Sequence, residues 1–448
     1  MGMVVNRLKD ILGPDIVGGP DSFGGRRLED WSGIPAGSPI GIIRPRSTKQ
    51  VSQALAVCHG HKQPIAVQGG LTGLAGAACP RDGEILLSLE RMNKIVELDE
   101  VSGTMTVQAG AILQNVQEQS AEAGYYFPLD LGARGSCMIG GVMATNAGGN
   151  RVIKYGMMRE QVLGLEAVLA DGKVVGGLHK MIKNNTGYDL RNLLIGSEGT
   201  LGVITGAVLR LRPRPAGIST AWCGLGDFTA VTSLLRQAQS GLAGGVSAFE
   251  VMWPSYYEFV LAKIAGLRRP LAGEHRFHVL LESDGGDADR FEAFLGRMLE
   301  RHVIEDAALA MSEADALAFW AVRDAPGEFK SLMPDLIAFD VSFAVRDLGL
   351  AADMIAAALS GARVLTYGHL GDGNIHLIVD SAIDPADIEK RVYAVVAELG
   401  GSVSAEHGIG RKKRELLGIT RTADELAAMA AVKAALDPHG ILNPGRIL

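Results

Sequence analysis

Residues 128–150 read PLDLGARGSCMIGGVMATNAGGN, and this run constrains the fold more than any other stretch of the chain. Gly132, Gly135, Gly140, Gly141, Gly148 and Gly149 are interleaved there with Ser136, Thr145 and Asn146. Each glycine costs a helix or strand interior about 0.5–1 kcal/mol, so the run reads as close-packed loop with bare backbone amides. An earlier glycine loop, the first in chain order, Gln68-Gly69-Gly70-Leu71-Thr72-Gly73-Leu74-Ala75-Gly76, follows directly on the short apolar strand 65–67, which makes 128–150 the second glycine region. A third piece, GSEGTLGVIT at 196–205, adds more backbone-lined surface. Neither the dinucleotide fingerprint GxGxxG nor the Walker loop GxxxxGK[ST] is present. One such loop alone is as readily a plain turn. Two of them, with small hydroxyls between, suit a pyrophosphate bridge, because successive N–H groups form an anion-binding nest.

The elements around these loops are short. IGIIRPRS followed by TKQVSQALAVCHG reads as strand then helix, with Ser47 as cap and Val51, Ala54, Leu55 and Cys58 at helical spacing. The segment 84–113 reads as strand, turn, strand, strand, and QNVQEQSAEAG as a helix stopped by Gly124. LGLEAVLADGKVV predicts a hairpin with Asp171-Gly172 as a two-residue turn. Pro213 and Pro215 mark a boundary, after which strands alternate with amphipathic helices. The expected organisation is an α+β fold in three parts: 36–215, a second α+β domain with an antiparallel sheet over 216–400, and a C-terminal segment 401–448.

A net charge of −7 argues against a nucleic-acid partner, which needs a basic face. Cys58, Cys79, Cys137 and Cys223 stand singly, with no CxxC spacing, so iron–sulfur and zinc–thiolate sites are not expected. They read as buried free thiols in a reducing compartment. No signal peptide is read at the N-terminus, and no stretch reaches the ~18 apolar residues of a spanning helix. Any membrane contact would be peripheral.

His369 and His376 flank Leu370-Gly371-Asp372-Gly373-Asn374-Ile375, and Glu406-His407 follow thirty residues on. A lone histidine is more often a hydrogen-bonded packing residue than a ligand. A glycine-rich turn between two of them can fold both to one point, and a carboxylate then completes a two-His, one-carboxylate set suited to Zn²⁺, Mn²⁺ or Fe²⁺.

QGGLTG at 68–73, the run 128–172, NNTGYDLRNLLIGSEGTLGVIT at 184–205, GHLGDGNIHL and AEHGIG together resemble one family in order. It is the vanillyl-alcohol-oxidase-type (PCMH-type) FAD-binding flavoproteins, in the 2-hydroxy-acid branch: D-lactate dehydrogenase, the glycolate oxidase large subunit and D-2-hydroxyglutarate dehydrogenase. The resemblance covers residues 35–448. It implies FAD between two α+β subdomains of a PCMH-type domain. It carries cofactor contacts onto Gln68, Gly69, Gly70, Thr72, Gly73, Asp130, Gly132, Ser136, Gly140, Thr145, Asn146, Gly148, Gly199 and Ile204. Many members have a third glycine where this chain has Leu71. Members that attach FAD covalently often carry histidine in the first loop; none stands here, so non-covalent FAD is expected. The resemblance places a divalent metal, zinc first, on His369, His376 and Glu406, and the general base on His407. It matches Arg323 to a substrate-carboxylate arginine, against the alternative of a surface arginine on an amphipathic helix; Asn374 is a second polar candidate. The 2-hydroxyglutarate branch has a lysine two residues before the aspartate of this strand. Here Ala338 stands there, before Asp340, which puts a dicarboxylate substrate in doubt, with Lys330 as the one substitute.

The resulting expectation is an FAD-dependent dehydrogenase that oxidises a small D-2-hydroxy acid to the 2-keto acid and passes hydride to flavin N5. Reoxidation is expected by a quinone, an electron-transfer flavoprotein or a cytochrome, in the cytoplasm or at the inner membrane face; a homodimer is left open. The rivals are an O₂-using flavin oxidase of an alcohol and an FAD-binding subunit of a larger electron-transfer complex.

Overall fold

In the computed structural model, which describes residues 2–448, the short apolar runs of the N-terminal part become strands. β1 (Val17–Gly18), β2 (Gly41–Ile43), β3 (Ile65–Gln68) and β4 (Ile85–Ser88) form a sheet in the order β1-β2-β4-β3, with β4 parallel to both β2 and β3. Parallel strands need a crossover, and the helix Thr48–Gly60 supplies it between β2 and β3. The Ser47 hydroxyl accepts from the Gln50 amide, a cap worth about 1 kcal/mol, and Val51, Ala54, Leu55 and Cys58 are the buried face. The topology puts the first glycine loop at the C-terminal end of a parallel strand, where open α/β sheets bind ligands.

β5 (Ile95–Asp99), β6 (Thr104–Gln108), β7 (Tyr125–Tyr126), β8 (Val162–Val168), β9 (Val174–Gly177), β10 (Val203–Arg210) and β11 (Arg212–Pro213) follow. β7 and β11 pair with one another; the rest form an antiparallel sheet in the order β5-β6-β10-β8-β9. The β8–β9 hairpin departs from its sequence reading. The Leu169 amide bonds to the Lys173 carbonyl, leaving a three-residue loop of Ala170, Asp171 and Gly172. Only Gly172 has positive φ (+86°), so this is a type I turn closed by a left-handed glycine rather than a two-residue I′ turn.

The chain divides into two compact units. One comprises the residues up to Gly149, Gly156–Arg214 and Glu406–Leu448, and holds the three sheets above. Its core joins Leu55, Ile85, Leu87, Val107, Ile139, Met143, Leu165, Ile204 and, from the C-terminal tail, Ile441 and Leu442. That tail is bolted in by Arg446, which is 2% exposed and donates to both oxygens of Glu84 (2.6 and 3.0 Å) and to the carbonyls of Ala77 and Cys79.

The other unit comprises Asn150–Tyr155 and Pro215–Ala405. β12 (Ser219–Leu225), β13 (Val246–Met252), β14 (Phe277–Ser283), β15 (Asp306–Leu309), β16 (Ile337–Ser342), β17 (Arg363–His369) and β18 (Asn374–Asp380) form an antiparallel sheet in the order β15-β12-β14-β13-β17-β18-β16. On one face Phe339 meets Tyr393 of the helix Pro385–Glu398, ring to ring at 5.7 Å. On the opposite face Trp222, Met252, Leu280, Tyr367 and Ile378 pack with Tyr256, Tyr257, Phe319 and Val322 of the helices Pro254–Lys263 and Glu313–Arg323. All four cysteines of the chain are free and buried.

Candidate active site

In the first unit, glycine lets two loops touch. A Cβ on Gly70 would stand 2.1 Å from the Ser136 carbonyl oxygen and 2.9 Å from Cys137 Cα. Gly69 lies against Gly141 and Met138, and Gly149 (φ +123°) against the Asp130 carbonyl. At Gly70 the two glycine-rich regions therefore abut backbone to backbone, closer than any side chain would permit. Leu71 holds φ +57° in this loop, a left-handed conformation that glycine adopts freely and leucine does not.

The expected cofactor residues fall in two groups. Gly69, Gly70, Gly73, Gly132, Gly140, Gly148 and Gly199 offer only backbone, and Thr72 adds a hydroxyl among them. The others carry side chains with partners of their own. Gln68 is fully buried and donates to the carbonyls of Leu28 and Ala78, and its Oε1 makes no bond among the described residues. Asp130 accepts from Arg134, Ser136 donates to the Ala133 carbonyl, and Thr145 donates to the Gly141 carbonyl. Asn146 accepts from the Arg159 amide, and Ile204 is buried at a bulge in β10. A backbone cradle at the mouth of a parallel sheet fits the pyrophosphate of FAD.

Glu406 and His407 belong to the same unit and are half-buried; Glu406 Oε1 accepts from the Gly149 amide at 3.2 Å. The turn after them is held by Glu198, which the sequence did not single out. It is 5% exposed, and its two oxygens accept from the amides of Ile409 (2.7 Å) and Gly410 (2.8 Å). Burial pushes the Glu198 carboxyl up to about 7, against the pull of those amides and Lys413.

The second unit carries a polar row inside its sheet. Antiparallel register sets Glu250 (β13) opposite His369 (β17), and His369 opposite Asn374 (β18). It sets Tyr367 opposite His376 and His376 opposite Asp340 (β16). Opposed residues share a face and every second residue returns to it, so all six lie on one face. The turn Leu370–Asp372 closed by Gly373 (φ +81°) brings the rings of His369 and His376 to 5.3 Å, edge to face. His376 Nδ1 lies 4.0 Å from Asp340.

Arg323 ends the helix Glu313–Arg323 and is 8% exposed, so the surface reading of this residue fails. Its Nε donates to Glu250 at 2.7 Å, and its Nη2 donates to His369 Nε2 at 2.9 Å. Glu250 also accepts from His369 Nδ1 at 2.8 Å. Burial alone would raise the Glu250 carboxyl; Arg323 and His369 outweigh it and hold it down at about 2. Glu250 escaped the sequence reading, although a lone charge in the buried strand VSAFEVM was a signal. The carboxylate fixes the His369 proton on Nδ1 and leaves the Nε2 lone pair outward, the tautomer a metal requires. In this structure that lone pair accepts from Arg323, so the donor chemistry fits a metal only if the arginine yields it. Asn374 is 3% exposed, and neither polar atom of its side chain makes a hydrogen bond among the described residues. Such atoms cost about 1–3 kcal/mol each unless a ligand meets them.

A family model described as FAD binding domain matches residues 39–176, and one described as FAD linked oxidases, C-terminal domain, matches residues 214–447. The mitochondrial D-2-hydroxyglutarate dehydrogenase of Bos taurus is 41% identical over 429 residues, spanning 94% of this chain and 78% of that protein. The chain belongs to the PCMH-type FAD-binding oxidoreductases, in their 2-hydroxy-acid branch. The Arabidopsis thaliana D-2-hydroxyglutarate dehydrogenase is 38% identical over 94% of this chain and 77% of its own. The D-2-hydroxyglutarate–pyruvate transhydrogenase of Saccharomyces cerevisiae is 35% identical over 93% of this chain and 88% of its own. Among solved structures, p-cresol methylhydroxylase shares the fold at 16% identity (TM-score 0.79, 100% of this chain, 96% of that one). Alkyldihydroxyacetonephosphate synthase does so at 17% (TM-score 0.76, 99% and 84%). This flavoprotein is thus an FAD-dependent oxidoreductase acting on a CH–OH group. The two dehydrogenases named above are mitochondrial by name, and a cytoplasmic address for this chain remains a proposal. No helix among the described residues is long and apolar enough to cross a membrane.

Proposed function

We propose that the protein oxidises a small D-2-hydroxy acid to the 2-keto acid and passes its electrons to a quinone, an electron-transfer flavoprotein or a cytochrome. The observation that carries this is Arg323, a buried guanidinium that donates to His369 on the sheet face that also carries His376, in a chain of the 2-hydroxy-acid branch. Arginine suits a carboxylate because its fork donates two parallel bonds, and burial strengthens them. Nε is held by Glu250, Nη1 by Asp324 and Nη2 by His369, so the second N–H of each Nη is what is offered to the substrate carboxylate. Asn374 supplies a further donor or acceptor to the same ligand.

The backbone cradle of the first unit holds FAD without a covalent bond; when bound, FAD accepts the hydride from Cα. His369 and His376, with Glu406 as third ligand, are the proposed holders of a divalent metal, zinc first; when bound, such an ion lowers the pKa of the substrate hydroxyl. His407 takes the hydroxyl proton on a neutral imidazole nitrogen. The relatives compared act by name on D-2-hydroxyglutarate. Ala338 and the adjacent strand offer no cation for a second carboxylate, and Lys330 lies exposed on the same unit, so a monocarboxylate is the favoured class. His407→Asn should slow anaerobic flavin reduction by roughly 10²–10⁴-fold with FAD and metal content kept. A variant that reduces its flavin at the wild-type rate would return His407 to packing.

A further inference from the structure

Glu198 sits in the turn Gly196-Ser197-Glu198-Gly199 with φ +49°, a left-handed conformation that costs a side chain about 1–2 kcal/mol. Such strain persists only where the surroundings over-determine it. Here each polar group of the residue goes to a different segment. Its amide donates to the Ala144 carbonyl (2.8 Å), at the end of the helix Ile139–Ala144 within the second glycine region. Its carbonyl accepts from Asn443 Nδ2 (2.6 Å), and Asn443 Oδ1 accepts from the Val67 amide (2.8 Å), at the root of the first glycine loop. Its carboxylate takes the amides of Ile409 and Gly410.

The turn it grips is built to be gripped. A Cβ on Gly408 (φ +77°) would stand 2.7 Å from Glu198 Oε1, and one on Gly410 (φ +52°) 2.1 Å from the Ala75 carbonyl oxygen. Arg411 and Lys412 both donate their amides to that same Ala75 carbonyl. Residues 408–410 are therefore clamped between Glu198 and the end of the first glycine loop, and His407 is the residue immediately before the clamp. We propose that Glu198 is the positioning residue for His407: its carboxylate ties the turn Gly408-Ile409-Gly410 to both glycine regions and so sets where the imidazole stands. This rests on the reading of His407 as the base. Glu198 touches no reacting atom; it acts through the turn.

The test is anaerobic stopped-flow reduction of the purified holoenzyme, comparing wild type, Glu198→Gln, His407→Asn and the double variant with the same 2-hydroxy acid. Gln has one acceptor oxygen where the turn presents two N–H groups, so the turn must shift. Misplacement of a reacting group by about 1 Å costs on the order of 10²-fold. Glu198→Gln should therefore lower the limiting reduction rate about 10–100-fold, leave the apparent substrate affinity within about twofold, and retain FAD. In the double variant the loss should not exceed that of His407→Asn alone, because residues that act as one unit are not additive. Gly408→Ala, which pushes on the carboxylate without removing it, should reproduce the rate loss if Glu198→Gln does not fold. A slow His407→Asn beside a Glu198→Gln of wild-type rate would overturn the positioning role and leave the base standing. An additive double variant, or loss of FAD from Glu198→Gln, would overturn it as well and assign Glu198 to the cradle. A wild-type rate in His407→Asn would remove the base itself.

Discussion

Replacing Glu250 by glutamine perturbs one atom at the centre of the second unit. The side chain keeps its length but exchanges a carboxylate oxygen for an NH₂ group. In the native protein the two oxygens accept from Arg323 Nε at 2.7 Å and from His369 Nδ1 at 2.8 Å. One of those donors must then face another donor, and the buried guanidinium keeps only the more exposed Asp324 (3.1 Å from Nη1) as counter-charge. Two routes give the magnitude. The carboxyl is held down from 4.5 to about 2, a difference of about 2.5 pKa units; at 1.36 kcal/mol per unit that is roughly 3 kcal/mol of differential stabilisation. Breaking a buried ion pair by removing one partner costs about 3–5 kcal/mol. Because the folded pKa is depressed, this stability is present above the ordinary carboxylate range and is lost as pH falls toward 2. The assay is urea unfolding followed by tryptophan fluorescence: Trp222, Trp253 and Trp320 lie in the second unit and only Trp31 in the first, so the signal reports the perturbed unit. Glu250→Gln should lower the unfolding free energy read by tryptophan by about 3 kcal/mol near pH 7, and substrate affinity should fall with it. An unchanged midpoint and slope would show that Arg323 does not depend on Glu250 and would remove the basis for its fixed orientation.

Gly70→Ala places a methyl 2.1 Å from the Ser136 carbonyl oxygen, and backbone on both sides cannot yield cheaply. An overpacking cost of about 1–3 kcal/mol should appear as weaker FAD binding, by roughly 5–150-fold in a flavin titration; an unaltered affinity would deny that the two loops form one cradle. His278, 1% exposed, accepts from Trp222 Nε1 at 3.1 Å and stacks on Tyr257; burial first, then the charges of His275 and Arg269, depress its pKa to about 3. Its contribution is therefore full above about pH 6.5 and lost as pH falls toward 3, so the tryptophan-reported stability should decline through that window. His278→Gln, which can still accept from Trp222, should flatten the decline, and an equally acid-sensitive variant would assign the loss to other groups.

The sequence made the cradle legible because its chemistry is local: glycines, small hydroxyls and a preceding strand are contiguous in the chain. His369 and His376 were legible for the same reason, as the ends of one short turn. Glu250 and Glu198 were not, since their partners lie 73 residues away at Arg323 and 211 residues away at Ile409. A buried carboxylate is recognised by what it faces, and that is a property of register and topology. Arg323 was located but not its environment; amphipathic spacing cannot separate a helix-end cation in solvent from one tucked against a sheet. Leu71 shows the converse. Its side chain marked a departure at a glycine-rich position, and the structure shows the left-handed φ that makes glycine the easier residue there. The β8–β9 turn was misread because Asp-Gly serves both a two-residue I′ turn and the last two positions of a three-residue loop.

Bound FAD is expected to take electrons from a D-2-hydroxy acid. The most direct measurement is anaerobic mixing of the purified flavoprotein with D- and L-lactate, glycolate, malate and D-2-hydroxyglutarate, one at a time, while the oxidised flavin absorbance is followed. Stoichiometric bleaching by a D-2-hydroxy acid is expected, with a monocarboxylate ahead of D-2-hydroxyglutarate, no bleaching by the L-enantiomer, and reoxidation by an artificial dye. A flavin that stays oxidised with every member of the panel, in a protein that holds FAD and metal at full occupancy, would contradict it.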